Sequence, residues 1–261
     1  MTFFRFTLLF LAFATALRAE TSSALNDGES YSFRVSWGPF FNAGEITLAA
    51  KKETALGVNR LRITTRTSSR GVIRTLFPFD GTGESFFDEA SGRLLEARAE
   101  TAAGQKKTSA SILFDYAKAE AIYTDHVKPS RNTTVEVPAG NFSDFITTLI
   151  QARQWNLAPG QSREVHVLFD DEFYHLNITA ERIEKIRTAD GKKSALLLVP
   201  RMVGPAKGMF RKGGEVRVWI SDDAEHLPVR FEVTLPVGTA VALLTAHTAP
   251  TTPVQVALVG P

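Results

Sequence analysis

Cysteine is absent from this 261-residue chain. That excludes a disulfide framework, and it removes any thiol to which a lipid could be attached at an export junction. Long apolar runs are nearly absent as well: after the stretch from Phe6 to Leu17, no segment reaches the roughly 18 consecutive apolar residues that a membrane helix needs. A basic surplus is also missing. There are 30 Lys and Arg against 28 Asp and Glu, and setting aside residues 1–19 removes Arg5 and Arg18, leaving 28 against 28. A chain without cationic excess has little with which to neutralise phosphates, so nucleic acid is not an expected partner.

Reactive signatures are lacking too. No G-x-S-x-G elbow, S-x-x-K pair or glycine-rich phosphate loop occurs. The histidines, at 126, 166, 175, 226 and 247, form no ligand-spaced pair of the HExxH kind, so no metal and no cofactor are expected. Distant residues can still assemble a catalytic triad without leaving a local mark, which keeps a hydrolase with dispersed residues as a lesser alternative. No catalytic residue is assigned.

What is there begins with an export address. Residues 1–19 place Arg5 ahead of an apolar stretch, followed by the small residues Ala14, Ala16 and Ala19. This is the order of a cleaved secretory signal and is too short for a comfortable span. The expected organisation is a signal peptide at 1–19, a single β-rich domain at 20–247 and a flexible tail at 248–261. The expected location is the periplasm, as a soluble protein and not a lipoprotein.

The periodicity is that of strands. In YSFRVSW, Tyr31, Phe33, Val35 and Trp37 alternate with polar residues and share one pleated face. The pattern recurs in EITLAAKKE, in NRLRITTRT, in RLLEARAET facing KKTSASILFDY, in REVHVLF facing FYHLNITAE, and in EVRVWI facing PVRFEVTLP. Such spacing predicts a mainly β, antiparallel fold: a strongly curled sheet or partly open barrel. One segment departs from it. From Ser143, SDFITTLIQARQW sets Phe145, Ile146, Leu149 and Ile150 at helical spacing, which predicts one central packed helix over about 143–155, with Ser143 as its N-cap.

Two acidic clusters interrupt the strands. SDDAEH, residues 221–226, lies between the alternating runs Val216, Val218, Ile220 and Val229, Phe231, Val233, while FDDEFYH, residues 169–175, sits in a similar position. Both read as hairpin tips, because short polar side chains bond nearby amides there. The sharper alternative has the two tips meeting to share a cation. Trp219 alternates with Val218 and Ile220, so both sheet faces near it are expected to be covered.

Two further stretches carry the candidate binding residues. The phenylalanine-rich IRTLFPFDGTGESFF, residues 73–87, reads either as core or as the lining of an apolar pocket. With the helix it supplies the candidate ligand-binding set Phe77, Phe79, Phe86, Phe145, Leu149 and Trp219. The glycine-rich, basic PRMVGPAKGMFRKGG, residues 200–214, supplies a candidate surface-contact loop through Arg201, Lys207, Phe210, Arg211 and Lys212.

Several of these landmarks fall in a familiar order: Trp37-Gly38 with Ala43-Gly44-Glu45, then Asp144 with Arg153, then Trp219-Ile220-Ser221-Asp222-Asp223 leading to Leu227-Pro228-Val229. In these the chain resembles the DUF3108 family of exported bacterial proteins over roughly residues 29–245. The basic loop and the tail TAPTTPVQVALVGP lie outside the likeness. The resemblance implies an export address and a β-rich fold, similar to the curled sheets around a helix of periplasmic lipoprotein carriers, but no catalytic residues. The expected function is therefore a non-catalytic binding or carrier module for an apolar or amphipathic envelope ligand. Its partner would be a lipid, an envelope polymer or an envelope protein. The competing reading is an envelope scaffold with a fully packed interior.

Overall fold

The computed structural model describes residues 24–55, 57–236 and 238–251. The expected signal peptide and most of the expected tail lie outside these residues. Of the tail's first four, Thr248 still pairs with Ser30, and the Thr251 amide donates to the Asp27 carbonyl at 3.0 Å.

Alternating apolar residues become strands, as their period requires. The first run comprises β1 (Ser30–Trp37), β2 (Phe40–Ala55), β3 (Val58–Ser69), β4 (Phe79–Asp88), β5 (Leu94–Ala103), β6 (Lys106–Asp115), β7 (Glu120–Asp125) and β8 (Thr133–Glu136). The second comprises β9 (Ser143–Asp144), β10 (Ser162–Phe169), β11 (Glu172–Thr188), β12 (Gly191–Met202), β13 (Glu215–Ser221), β14 (Pro228–Leu235) and β15 (Gly238–Thr248). Each run is a meander, and β1 pairs with β15 to join them into one sheet ordered β8 to β1, then β15 to β9. All pairings are antiparallel except the short β9–β10 contact, where Ser143 meets Val167. The three facing pairs expected from the alternation pair as read: β5 with β6 across Gly104-Gln105, β10 with β11, and β13 with β14. The sheet is not closed, since β8 and β9 form its two edges without pairing to each other.

Side chains near those edges nevertheless touch. The Tyr123 hydroxyl on β7 donates to Asp170 Oδ1, in the β10–β11 turn, at 2.8 Å, and Phe114 on β6 packs against Phe173 on β11 with ring centroids 6.4 Å apart. Two apolar clusters make the core. One gathers Tyr31, Phe33, Leu48, Ile63, Leu197 and Trp219, while the other gathers Leu176, Ile178, Leu198, Val216, Val218 and Ile220. On β13 the two clusters take alternate residues, so both faces of that strand are covered, as expected around Trp219.

The helix differs from its expectation in length, cap and number. Two α-helices occur among the described residues, α1 (Gly71–Leu76) and α2 (Phe145–Gln151). The second is followed by a single 3₁₀ turn, Ala152–Gln154. Ser143 is not the cap: it lies two positions before the helix, its hydroxyl 2.7 Å from that of Thr148. Asp144 takes that place, its Oδ1 accepting from the Thr147 amide at 2.9 Å. The helix is also more than an apolar stripe: Thr147 and Thr148 are buried with Leu149 and Ile150, their hydroxyls donating to Asp144 Oδ2 and to its carbonyl. Helix α1 was hidden in the aromatic segment, since six residues are too few to show a period.

Candidate ligand-binding cavity

Helix α2 does not fill the space beside it. A cavity of roughly 420 Å³ lies between the helix and the sheet, walled by Phe33 and Val35 of β1, Ile46 and Leu48 of β2, Leu149 of α2 and Phe231 of β14. Its lining is apolar except for Asp144 and Asp170. A second cavity of about 280 Å³ adjoins it, sharing Asp144, Ile146, Leu168 and Asp170. Small residues of β3 to β6 line this second space, among them Thr65, Gly81, Gly83, Ser85, Ala97 and Ala99. Where strands present glycine, alanine and serine inward, the opposing wall stays back and a groove is left. A larger depression, about 860 Å³, has a mixed polar and apolar lining and borders Ala24, the first described residue. Its charges include the Lys52–Glu89 pair, set beside Leu61, Phe87, Phe142 and Trp155.

The two carboxylates at the boundary are held, not free. Asp144 Oδ2 accepts from the Ser85 hydroxyl at 2.8 Å and from Thr147 Oγ1 at 2.6 Å, tying the helix start to β4. Asp170 accepts from Tyr123 and pairs with Arg131 Nη2 at 2.8 Å. Burial, followed by donation to Asp170, pushes the Tyr123 phenol far above its ordinary range, so it acts as a donor at any physiological pH.

The far end of the helix is fixed by a second network. Glu29 Oε1 accepts from the Tyr31 hydroxyl at 2.6 Å, Arg153 Nη2 at 2.8 Å and His247 Nε2 at 3.1 Å, while Oε2 accepts from the Asn26 amide at 2.9 Å. Desolvation opposes the Glu29 charge, but these donors together hold its carboxyl below the usual range. Asp144 and Arg153, which the resemblance singled out, thus anchor the two ends of one helical segment.

The other landmarks have structural roles as well. The Ala43 carbonyl accepts from the Arg70 amide at 2.8 Å, and Glu45 pairs with the Arg70 guanidinium at 2.9 Å. A Cβ on Gly44 would sit 2.8 Å from the Ser68 carbonyl oxygen, so glycine lets β2 and β3 approach there. In the SDDAEH loop, Ser221 Oγ accepts from the Leu227 amide at 2.9 Å and donates to Asp223 Oδ1 at 2.7 Å. Desolvation works against the Asp223 charge, but donation from Ser221 and from the Glu225 and His226 amides holds its carboxyl low. This is a hairpin tip, as expected. The other tip faces Arg131, not Asp222 or Asp223, and no group of three or more His, Asp and Glu among the described residues converges as a metal would require.

The candidate residues fare unequally. Phe145 and Leu149 line the larger cavity and Phe79 the smaller. Phe86 is buried on the opposite face of β4, between the guanidinium groups of Arg60 at 4.2 Å and Arg98 at 5.0 Å from its ring centre. Its neighbour Phe87 takes the core side, because consecutive strand residues point oppositely. Phe77 is exposed beside Trp37, which is half buried. Trp219 is core, its Nε1 donating to Glu184 Oε1 at 2.8 Å, and lies outside both cavities. The basic loop is less open than expected. Arg201 pairs with Glu181 and Lys207 with Glu172, whereas the exposed Arg211 and Lys212 make no salt bridge among the described residues. Phe210 is no surface residue: it is buried against Tyr174 and Phe145, and Met209 joins the cavity wall. Gly208, at φ +52, permits this inward turn, and a Cβ there would strike the Tyr174 hydroxyl.

Phe33, Val35, Ile46 and Leu48 were legible as an apolar face but not as cavity wall. One pair suggests chemistry: Ser111 Oγ lies 3.0 Å from His126 Nε2 at the edge of the smaller cavity. It is exposed, and among the described residues no carboxylate bonds the other ring nitrogen, so the base lacks the orienting group a hydroxyl nucleophile needs. The arrangement suits holding an apolar molecule.

Comparison with known proteins agrees on the fold. A crystal structure of a beta-barrel-like protein of domain of unknown function DUF1849 from Brucella abortus superposes with a TM-score of 0.55, covering 87% of this chain and 100% of that one at 7% identity. No curated protein matches the chain in sequence. The model of a family described as protein of unknown function, DUF3108, matches residues 32–245, and the chain belongs to that family.

Proposed function

We propose that this protein is a non-catalytic binding or carrier module of the bacterial periplasm, reached through a cleaved signal at residues 1–19, and that it holds an apolar or amphipathic envelope ligand. The observation that carries the reading is the cavity of roughly 420 Å³ with an apolar wall and two carboxylates at one boundary. Its size falls in the range of small-molecule sites. The adjoining small-residue groove extends it for a longer molecule, with the apolar part beside α2 and the polar part near Asp144 and Asp170.

In this reading the sheet curls around the helix as a partly open barrel. Chain length supports the curl. Fifteen strands at about 4.8 Å spacing would hold the outer two about 65 Å apart if flat, whereas the seven Cα steps from Glu136 to Ser143 reach at most about 25 Å. The contacts of Tyr123 and Phe114 with the other end of the sheet point the same way.

Native mass spectrometry of protein purified from periplasm is the test. The expected result is a co-purifying amphiphile, displaced by a fluorescent fatty acid that binds at micromolar concentration. Protein that is free of ligand and takes up no probe would leave the packed scaffold in its place.

A further inference from the structure

At one end of the molecule apolar side chains face solvent in a group. Phe41 at the tip of the β1–β2 hairpin is 83% exposed, on the adjoining α1 Val72 is 60% and Leu76 58% exposed, and Phe77, just after the helix, is 62% exposed. Trp37 packs on Phe77 with ring centroids 6.4 Å apart, and the residue before α1 is bound to β2 through the Arg70 amide on the Ala43 carbonyl, which sets the helix beside the hairpin. Soluble proteins rarely leave apolar clusters of this kind uncovered without an interaction to serve.

We propose that this hairpin tip and helix α1 form a docking surface for a bilayer containing anionic phospholipid. Three observations favour a bilayer over a protein partner. The apolar residues wrap the tip: Trp37 and Phe40 are cross-strand partners on one face, while Phe41 lies with Arg34, Ser36 and Leu243 on the other. A folded partner covers one face of a hairpin, whereas the lipid interface surrounds a tip that enters it. The residue types, aromatic and aliphatic with tryptophan at the edge, are those that settle at the headgroup boundary. The charge also fits. Glu45 is paired with Arg70 at 2.9 Å and Asp80 with Arg74 at 2.7 Å, while Arg34 is exposed with no carboxylate paired to it among the described residues. With Arg34, Arg70 and Arg74 set against Asp80 and Glu45, the cross-strand partner of Arg34, these groups carry a net positive charge toward a negative membrane. It also borders the larger cavity, because Ala240, which lines that cavity, is the β15 partner of Trp37. The proposal does not depend on the cavity holding a ligand.

The experiment is flotation of the purified chain with phosphatidylcholine vesicles, with and without phosphatidylglycerol. The expected result is co-flotation with the anionic vesicles, reduced by high salt, with Trp37 quenched by brominated lipid and the quenching lost in Trp37→Phe. The double variant Phe41→Ser/Phe77→Ser should bind at least about tenfold more weakly, as removal of two rings that the bilayer would cover implies. Both rings are exposed, so its thermal unfolding and its uptake of a fluorescent fatty acid should match the wild type. No flotation, or flotation undiminished in the double variant, overturns the proposal. So does a wild-type dimer in sedimentation that the double variant dissolves, which would assign the surface to a second copy of the chain.

Discussion

Arg153 and Glu29 form an ion pair across 124 positions of sequence, Nη2 lying 2.8 Å from Oε1, with side-chain exposures of only 11% and 1%. The pair fastens the end of the α2 segment to the start of β1. Desolvating two charges is costly, and the geometry offsets that cost only while every donor around Glu29 stays in place. Glu29→Ala leaves Arg153 buried and unpaired, and should destabilise the protein by about 3 to 5 kcal/mol in urea unfolding. A loss below about 1 kcal/mol would show that the network does not hold the helix.

Acid should act through the same group. The folded-state pKa of Glu29 is depressed, so its contribution to stability is fully present above the unfolded value. It is lost as pH falls below about 4.5 and through the folded value. Denaturant midpoints measured from pH 7 to pH 3 should fall in that window for the wild type, and less steeply for Glu29→Gln.

Leu149 lies where core and cavity meet. In a sealed core its truncation would cost about 2 to 5 kcal/mol. Here it enlarges an existing space, so Leu149→Ala should fall at the lower end of that range and change the affinity for a fluorescent fatty acid. Val35→Trp, at the half-buried edge of the same wall, should block uptake with little loss of stability. Unchanged binding in both variants would place the probe elsewhere.

Gly44→Ala should destabilise by about 1 to 3 kcal/mol, because the new methyl meets the Ser68 backbone and a strand must shift. Chemical denaturation decides it, and a neutral result would mean that β2 and β3 separate there without cost.

The hairpin tip at 221–226 separates two neighbouring aspartates. Asp222→Asn should change stability by under about 0.5 kcal/mol, whereas Asp223→Ala removes the acceptor for Ser221 and the Glu225 amide and should cost about 1 kcal/mol. Equal effects in the two variants would contradict this assignment.

Much of the architecture was legible because period and turn chemistry are local. Alternation in β1, β5, β10 and β13 placed the strands, and the polar runs at 169–175 and 221–226 placed two tips, since the residues that make a hairpin lie next to each other in sequence. The helical spacing from Phe145 announced α2, though not its cap. Whether Ser143 or Asp144 takes that place depends on where β9, which pairs both residues with Val167 and Leu168 24 positions away, gives way to the helix.

The sequence by itself determined a mainly antiparallel β-protein with a short helix near residue 145, because the side-chain period is a property of consecutive residues. It could not say which of Phe86 and Phe87 faces the core, since alternation assigns opposite faces without naming either. Arg60 and Arg98, on neighbouring strands, decide that. Nor could it distinguish wall from core. Phe33, Ile46, Leu48 and Leu149 are the same residue types in a packed interior and around a space. Only the distance at which α2 is held from β1 and β2, by Asp144 with Ser85 at one end and Arg153 with Glu29 at the other, left a cavity between them.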